Sequence, residues 1–166
     1  MAEIAERANV SAATAYRHFG SVDEILAEFR FGVGQRLREY SARQKVRGVA
    51  LLQTVSEHWV GLVVKHGDAM VHTRSDVGYL QRLRDGAQYL TVQADALRLP
   101  IAEAARELGV PDPGDEGMFL WNILFDPREI FDLITTVGMS QEHVGRRLVS
   151  AFCGAIQRWD RDVDQL

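Results

Sequence analysis

The sequence predicts an all-α protein with a helix-turn-helix module at its N-terminus and a larger helical domain after it. Apolar residues recur at intervals of three or four through most of the chain, which places them on one face of successive helices. No segment shows the strict alternation of apolar and polar residues that a half-buried β-strand has. A polar, basic stretch before residue 48 marks a boundary, so we expect domains over residues 1–45 and 46–166.

The composition is that of a folded globular protein, with 46% hydrophobic and 25% charged residues among 166. No stretch reaches the roughly 18 to 20 uncharged apolar residues of a membrane span, and the charged start is unlike a signal peptide. We therefore expect a cytoplasmic protein. Cys153 is the one cysteine, which excludes an internal disulfide and a thiolate metal cluster. We expect no metal ion and no cofactor.

The formal net charge of -4 divides unevenly between the two expected domains. Residues 1–45 contain seven Lys or Arg against six Asp or Glu, and residues 46–166 contain twelve against seventeen. This balance excludes nucleic-acid binding through a basic tail or through the whole surface. It is compatible with contact through a few placed groups.

Two short helices and a tight turn are predicted near the N-terminus. Residues 2–8 have helical periodicity, Asn9 and Val10 form the turn, and Ser11 caps a second helix that ends at about His18. Two helices joined in this way can place the second in the major groove of DNA. Small side chains at the start of that helix permit close approach, and polar or cationic groups follow. The candidate DNA contacts are Ser11, Ala12, Ala13, Thr14, Tyr16, Arg17 and His18. The alternative from spacing alone is a helical hairpin.

A long linking helix is predicted next. Ser21 and Glu24 have the form of a capping box, in which each side chain accepts a hydrogen bond from the other residue's backbone N–H. Apolar residues then hold one helix face for about five turns. Gly32 and Gly34 each cost a helix about 1 kcal/mol relative to Ala, so either close packing requires them or the helix is weak there.

Capping and breaking residues divide the second domain into further helices. A helix with an apolar face over residues 52–63 ends at Gly67, and a short helix is expected over residues 68–73. A longer helix over residues 76–99 is expected to break or restart at Pro100.

The last third of the chain begins with a strong loop signal at residues 109–114. Residues 118–125 are apolar on almost every side, so we expect them to be covered on several sides. Asp126 and Pro127 begin another helix, and Ser140 caps the last one.

The N-terminal residues resemble the helix-turn-helix signature of the tetracycline-repressor (TetR) family nearly position by position. The resemblance lies in the run from Ile4 to Ser11, then Thr14, Tyr16 to Phe19, Ser21, and Asp23 to Leu26. A linking helix followed by a divergent helical body also resembles that family.

The resemblance implies a homodimer that binds a palindromic DNA operator and releases it when a small ligand enters the helical body. Carried over by position, Thr14, Tyr16 and His18 contact phosphates. The residues nearest the bases are then Ser11, Ala12, Ala13 and Arg17.

Two features depart from the family pattern. The family's first helix, which normally precedes the position of Met1, is missing from this sequence, and Ile4 and Phe19 would lose part of their cover. We expect a missed upstream start or a trimmed chain; the alternative is a natural truncation that has lost DNA binding. Many relatives also carry a phosphate-contacting Lys at the position of Val22, so we expect weaker or differently anchored DNA contact.

Large apolar side chains of the second domain are candidates for a pocket that suits a medium-sized apolar or aromatic effector. They are Trp59, Met70, Tyr79, Tyr89, Met118, Phe119, Trp121 and Phe125. The alternative is that they are ordinary core residues.

The last helices are candidates for a dimer surface, because small residues permit close helix approach beside large apolar ones. We expect the interface between two copies to contain Ile130, Phe131, Ile134, Leu148, Phe152, Ala155, Ile156 and Trp159. The alternative is a core within one chain.

The leading interpretation is a ligand-responsive DNA-binding transcriptional regulator, a repressor. The second interpretation is a TetR-like ligand-binding or interaction protein that has lost DNA binding. The sequence has no Ser-His-Asp order, phosphate loop or HExxH motif that stands out, so we expect no enzyme activity.

Overall fold

The computed structural model describes residues 1–71 and 76–162, and the regular structure over these residues is helical throughout. This confirms the predicted all-α class. In chain order the helices are α1 (Ala2–Arg7), α2 (Ala12–His18), α3 (Val22–Ala42), α4 (Gly48–His66), α5 (Tyr79–Arg84), α6 (Gln88–Leu108), α7 (Gly114–Leu124), α8 (Pro127–Thr135) and α9 (Gln141–Asp162). None of the helices in the described ranges has the length and apolar character needed to cross a bilayer.

The predicted helix-turn-helix forms at the N-terminus. Asn9 adopts the left-handed conformation, with φ of +56°, which Asn tolerates better than most residues. The N–H of Val10 donates to the carbonyl of Ala5 at 2.9 Å and closes the turn. The Ser11 hydroxyl then accepts a hydrogen bond from the N–H of Thr14 at 3.1 Å, so α2 begins at the predicted cap.

The cap of α3 differs in one detail from the predicted capping box. The Ser21 hydroxyl accepts from the N–H of Glu24 at 3.1 Å, as expected. The Glu24 carboxylate, however, accepts from the N–H of Gly20 at 2.7 Å, one residue before the predicted donor. The cap therefore also fixes the short connection between α2 and α3.

The two glycines of α3 have different surroundings. A Cβ on Gly34 would lie 2.4 Å from Cγ1 of Val92 on α6, whereas a Cβ on Gly32 would meet nothing within 4 Å. Close packing of α3 on α6 therefore requires a glycine at position 34 alone. The neighbouring Val33 and Leu37 are wholly buried, so the C-terminal half of α3 belongs to the core of the body. The domain division at residue 45 stays a prediction.

Pro100 lies inside α6, so the predicted break or restart there was wrong. The helix expected over residues 76–99 is instead interrupted at residues 85–87, where Gly86 has φ of +80°. Proline has no N–H, which leaves the carbonyl of Ala96, four residues earlier, without its helical partner. The Ser41 hydroxyl of α3 donates a hydrogen bond to that carbonyl at 2.7 Å. A contact from a second helix thus offsets the missing bond.

The core of the body lies where α4 packs against α6 and α9, and α6 packs against α3. Ser56 of α4 is buried there, and its hydroxyl accepts a hydrogen bond from Nε1 of Trp121 at 3.1 Å. Nε1 of Trp59 donates to the carbonyl of Phe125 at 3.0 Å. The polar atoms of both indoles are therefore satisfied inside an apolar core.

The apolar segment over residues 118–125 is covered on one side only. Met118, Trp121 and Phe125 are buried, but Phe119 is 41% and Ile123 48% exposed. The described residues by themselves therefore do not provide the cover on several sides that the sequence predicts, and Phe119 and Ile123 form an outer apolar face of α7.

After α4, the backbone turns at Gly67 as predicted and forms a 3₁₀ segment, Gly67–Met70. This segment is shorter than the helix expected over residues 68–73, and residues 72 and 73 lie outside the described part of the chain. The Asp126 side chain accepts from the N–H of Arg128 and caps α8, which begins at Pro127 as predicted.

We predict opposite effects of alanine at the two glycines of α3. Gly32→Ala should raise the free energy of unfolding by about 1 kcal/mol, because it gains helix propensity without a new contact. Gly34→Ala should lower it by about 1 to 3 kcal/mol, because the added methyl group overlaps Val92. Urea denaturation followed by circular dichroism measures both. Equal shifts of the same sign would contradict the assignment of Gly34 to close packing.

We also predict that the effect of Ser41→Ala depends on Pro100. In the natural chain the substitution should lower the free energy of unfolding by about 1 to 3 kcal/mol, because a buried carbonyl loses its partner. In a Pro100→Ala background the loss should be smaller, because residue 100 then supplies the helical N–H. A double-mutant cycle of urea midpoints measures the difference, and a cycle with no coupling would rule out this role of Ser41.

Candidate functional site

The exposed face of α2 contains most of the predicted DNA contacts. Ser11, Ala12, Ala13, Tyr16, Arg17 and His18 are exposed, Thr14 is half-buried, and only Ala15 of this helix is buried. Ala15 and Ala5 are the buried residues of α2 and α1, which pack against each other. The short side chains let the two helices pack closely while α2 presents its polar face outward.

The candidate contact residues on α2 fall into two groups by their bonding. The hydroxyls of Ser11 and Thr14 lie 2.9 Å apart and share a hydrogen bond, so both are held in place at the start of the helix. The side chains of Tyr16, Arg17 and His18 form no hydrogen bond or ion pair with any other described residue. A phenol, a guanidinium and an imidazole are thus free to contact an external phosphate or base.

Three apolar residues around this module remain exposed in the chain. Ile4 is 37%, Val10 44% and Val22 38% exposed, and Phe19 is half-buried. The described helices of the chain therefore only partly cover Ile4 and Phe19, which the family resemblance assigns to the core. Val22 is the first residue of α3, and its side chain has no positive charge.

A cavity of about 260 Å³ lies in the body, against the side of α3. It brings together Trp59, Met70, Tyr89 and Phe125, four of the eight residues predicted to form a ligand pocket. Tyr79, Met118 and Trp121 are buried but do not line it, and Phe119 lies on the outer face of α7. Burial raises the pKa of Tyr79 to about 12, so its hydroxyl stays protonated at neutral pH.

Polar residues that the sequence did not point to supply much of the cavity wall. They are Arg30, Arg82, Gln93, Asn122, Asp126 and Arg128. A weak signal for one of them exists in the sequence. Arg30 lies four residues before Gly34 and therefore on the same face of α3, which is buried at Gly34. A cation on a buried helix face requires a polar or anionic partner.

The arginines of the cavity differ in how they are paired. Nε and Nη2 of Arg128 donate to the two carboxylate oxygens of Asp126 at 3.0 and 2.8 Å. Burial by itself would raise the pKa of Asp126, but these bonds hold it below its usual value. Arg30 instead donates from Nη2 to the backbone carbonyl of Met70 at 2.7 Å, and Arg82 donates from Nη1 to the Tyr89 hydroxyl at 2.8 Å.

The predicted dimer residues divide between the interior of the chain and its surface. Ile130, Phe152 and Ile156 are buried within the single chain. The half-buried members are Phe131, Ile134, Leu148 and Ala155, and Trp159 is 41% exposed. Trp159 and Phe119 line one groove between α7 and α9.

The small residues of α9 also serve two purposes. A Cβ on Gly145 would lie 2.7 Å from Cγ of Glu57, so this glycine permits the packing of α9 on α4. A Cβ on Gly154 would meet nothing within 4 Å. No contact among the described residues therefore explains a glycine at position 154 of this helix.

Residues 1–29 match the family model described as bacterial regulatory proteins, tetR family. Neither a curated protein nor a solved structure gives a significant match to the chain. The matched segment contains α1, the turn, α2 and the first turns of α3, which are the elements that present the polar face described above. The N-terminal helix-turn-helix of this chain is therefore similar to that of the bacterial regulatory proteins of the tetR family.

Proposed function

We propose that this protein is a ligand-responsive transcriptional regulator, a cytoplasmic repressor rather than an enzyme, that binds a palindromic operator as a homodimer. The observation that carries the proposal is the face of α2, where Tyr16, Arg17 and His18 are exposed and free within the matched segment. Small residues at the start of α2 let the helix backbone approach the base edges. Ser11 and Thr14, held by their shared hydrogen bond, add polar groups at the same end.

A physical connection between the cavity and α2 supports the response to a ligand. Both Arg30 and Gly34 line the cavity, and both belong to α3. Only residues 19–21 separate α2 from α3, and the bond between Gly20 and Glu24 restrains them. A ligand that displaces α3 therefore moves α2, and the two α2 helices of a dimer fit successive half-sites only when roughly 34 to 36 Å apart.

The outer faces of α7 and α9 support dimerisation. Phe119 and Ile123 are exposed on α7, and Trp159 is exposed on α9. On α9, a Cβ added to Gly154 would meet nothing within 4 Å. A glycine with open space around it lets a helix from a second copy approach α9 closely. We propose that this surface, with Leu148 and Ala155, forms the interface, and that Ile130, Phe152 and Ile156 support it from inside.

One observation favours the second interpretation, in which the protein keeps the fold without DNA binding. Val22 provides no cation at the start of α3, where many relatives of the resembled family hold a phosphate with Lys. The DNA-binding experiment below separates the two interpretations.

We predict two classes of DNA-binding defect from substitutions on α2. Tyr16→Ala and His18→Ala should weaken binding to all sequences to a similar extent, because phosphate contacts carry no sequence information. Arg17→Ala should also change base preference, by about 10- to 100-fold at one position of the site, because arginine reads guanine with two hydrogen bonds.

The measurement is fluorescence anisotropy at several salt concentrations, with the full gene product and an operator selected from random DNA. Arg106→Ala, which removes an exposed arginine of α6, is the charge-matched control and should bind like the natural protein. If the natural protein shows no sequence-selective, salt-dependent binding, the second interpretation replaces the first.

We predict that Gly154→Glu converts a dimer into a folded monomer. The substitution places a carboxylate in the proposed interface and improves helix propensity, so the chain itself should not lose stability. Sedimentation velocity measures the change, and Ala50→Glu on the exposed start of α4 is the control that should stay dimeric. A monomeric natural protein, or a dimeric Gly154→Glu variant, would show that the interface lies elsewhere or is absent.

A further inference from the structure

We propose that the effector is a small aromatic carboxylate whose anionic group binds between the guanidinium groups of Arg30 and Arg82. This inference rests on the proposed ligand response and specifies its chemistry. The sequence predicted an apolar or aromatic effector from the large side chains of the body. The two arginines change that expectation, because a neutral apolar ligand would leave them without an anionic partner.

The surroundings of the Arg30 guanidinium favour the binding of an anion. Its guanidinium carbon lies 5.8 Å from the centre of the Tyr89 ring, and among the described residues it donates a hydrogen bond to the carbonyl of Met70. Its Nε is buried and has no hydrogen-bond partner among the described residues. Burial lowers the pKa of Arg30, and the nearby charge of Arg82 acts in the same direction. A carboxylate would relieve both effects.

Arg82 faces the same space from α5. Nη1 is bonded to the Tyr89 hydroxyl at 2.8 Å, and its Nε, like that of Arg30, is buried without a partner among the described residues. Tyr89 thus contacts both arginines, with its ring near Arg30 and its hydroxyl bonded to Arg82. This arrangement holds two guanidinium groups toward one cavity with donors left over.

Among the described residues, the cavity wall contains three arginines and one carboxylate. Asp126 and Arg128 neutralise each other through two hydrogen bonds. Within the described residues, no carboxylate lies within ion-pair distance of Arg30 or Arg82. Partly buried cations without an anion are unfavourable, and the planar fork of arginine matches the two oxygens of a carboxylate.

The rest of the cavity fits an aromatic body of limited size. Trp59, Leu90 and Phe125 supply apolar surface, and the amides of Gln93 and Asn122 can bind a polar substituent. An apolar cavity of about 150 Å³ holds benzene. The cavity here, of about 260 Å³, therefore accommodates a single ring with a carboxylate and a small substituent.

The experiment compares substituted benzoates with the matching benzamides, which have the same shape without the charge. Each is titrated against the natural protein at constant pH and ionic strength, with the melting temperature and calorimetric heat as readouts. The benzoates should raise the Tm as their concentration increases, and the benzamides should not. Equal effects of the two series, or no effect of any benzoate at millimolar concentration, would overturn the proposal.

Three variants test the assigned residues. Arg30→Met and Arg82→Met should each weaken benzoate binding by about 10- to 100-fold, because each removes charged hydrogen bonds to the anion. Arg84→Met, on the same helix but exposed and paired with Asp115, should bind like the natural protein. Unchanged benzoate binding in both Arg30→Met and Arg82→Met would show that the anion binds elsewhere, and circular dichroism spectra establish that each variant is folded.

The same titrations with labelled operator DNA separate this proposal from the proposed function. Release of DNA by benzoate but not by benzamide supports both. Benzoate binding that depends on the two arginines but leaves DNA binding unchanged supports the anion site and contradicts the ligand response. DNA binding that depends on α2, together with no binding of benzoates, contradicts the anion site alone.

Discussion

The close packing of α3 on α6 is the constraint on which the rest of the structure depends. Gly34 lets the backbone of α3 approach Val92. The Ser41 hydroxyl donates a hydrogen bond to the carbonyl of Ala96, which has no helical partner because Pro100 has no N–H. Both contacts lie in the C-terminal half of α3 and fix it to the body. The N-terminal half leads to α2 and meets α6 at Arg30, whose guanidinium carbon lies 5.8 Å from the centre of the Tyr89 ring. The cavity borders α3 at Arg30 and Gly34, so a ligand that displaces Arg30 acts on the half of α3 that leads to α2.

The cavity wall near that point has less favourable bonding than the core beside it. The indoles of Trp59 and Trp121 each have a hydrogen-bond partner, whereas the Nε atoms of Arg30 and Arg82 have none among the described residues. Burial of a cation is unfavourable unless a hydrogen-bonded anionic partner offsets the lost hydration. A ligand that pairs with Arg30 therefore forms its most favourable contact with a residue of α3. This is the differential interaction that a ligand needs in order to shift a conformational equilibrium.

Local sequence features predicted the helix ends well because a cap involves only neighbouring residues. Ser11, Ser21, Gly67 and Asp126 all mark helix boundaries as expected. Pro100 misled because its compensation comes from Ser41, which is distant in sequence. The polar wall of the cavity was not predicted for the same reason, since Arg30 and Arg82 meet only after α3 and α5 are brought together. Periodicity also could not show which apolar residues of α8 and α9 the chain buries by itself.

Helix α7 has large apolar residues both on its inner face, which packs on the core, and on its outer face. Met118, Trp121 and Phe125 face the core, whereas Phe119, which lines a groove with Trp159, and Ile123 are exposed. The described residues cover the first set only, and in the proposed dimer a second copy would cover the other. The C-terminal end of α7 leads directly into the cavity, because Phe125 and Asp126 line it. Under the proposed assembly, one helix then joins the ligand site to the symmetry axis, while α3 joins it to the DNA. In that proposed assembly, a ligand in this cavity would contact both of the elements that set the distance between the two α2 helices.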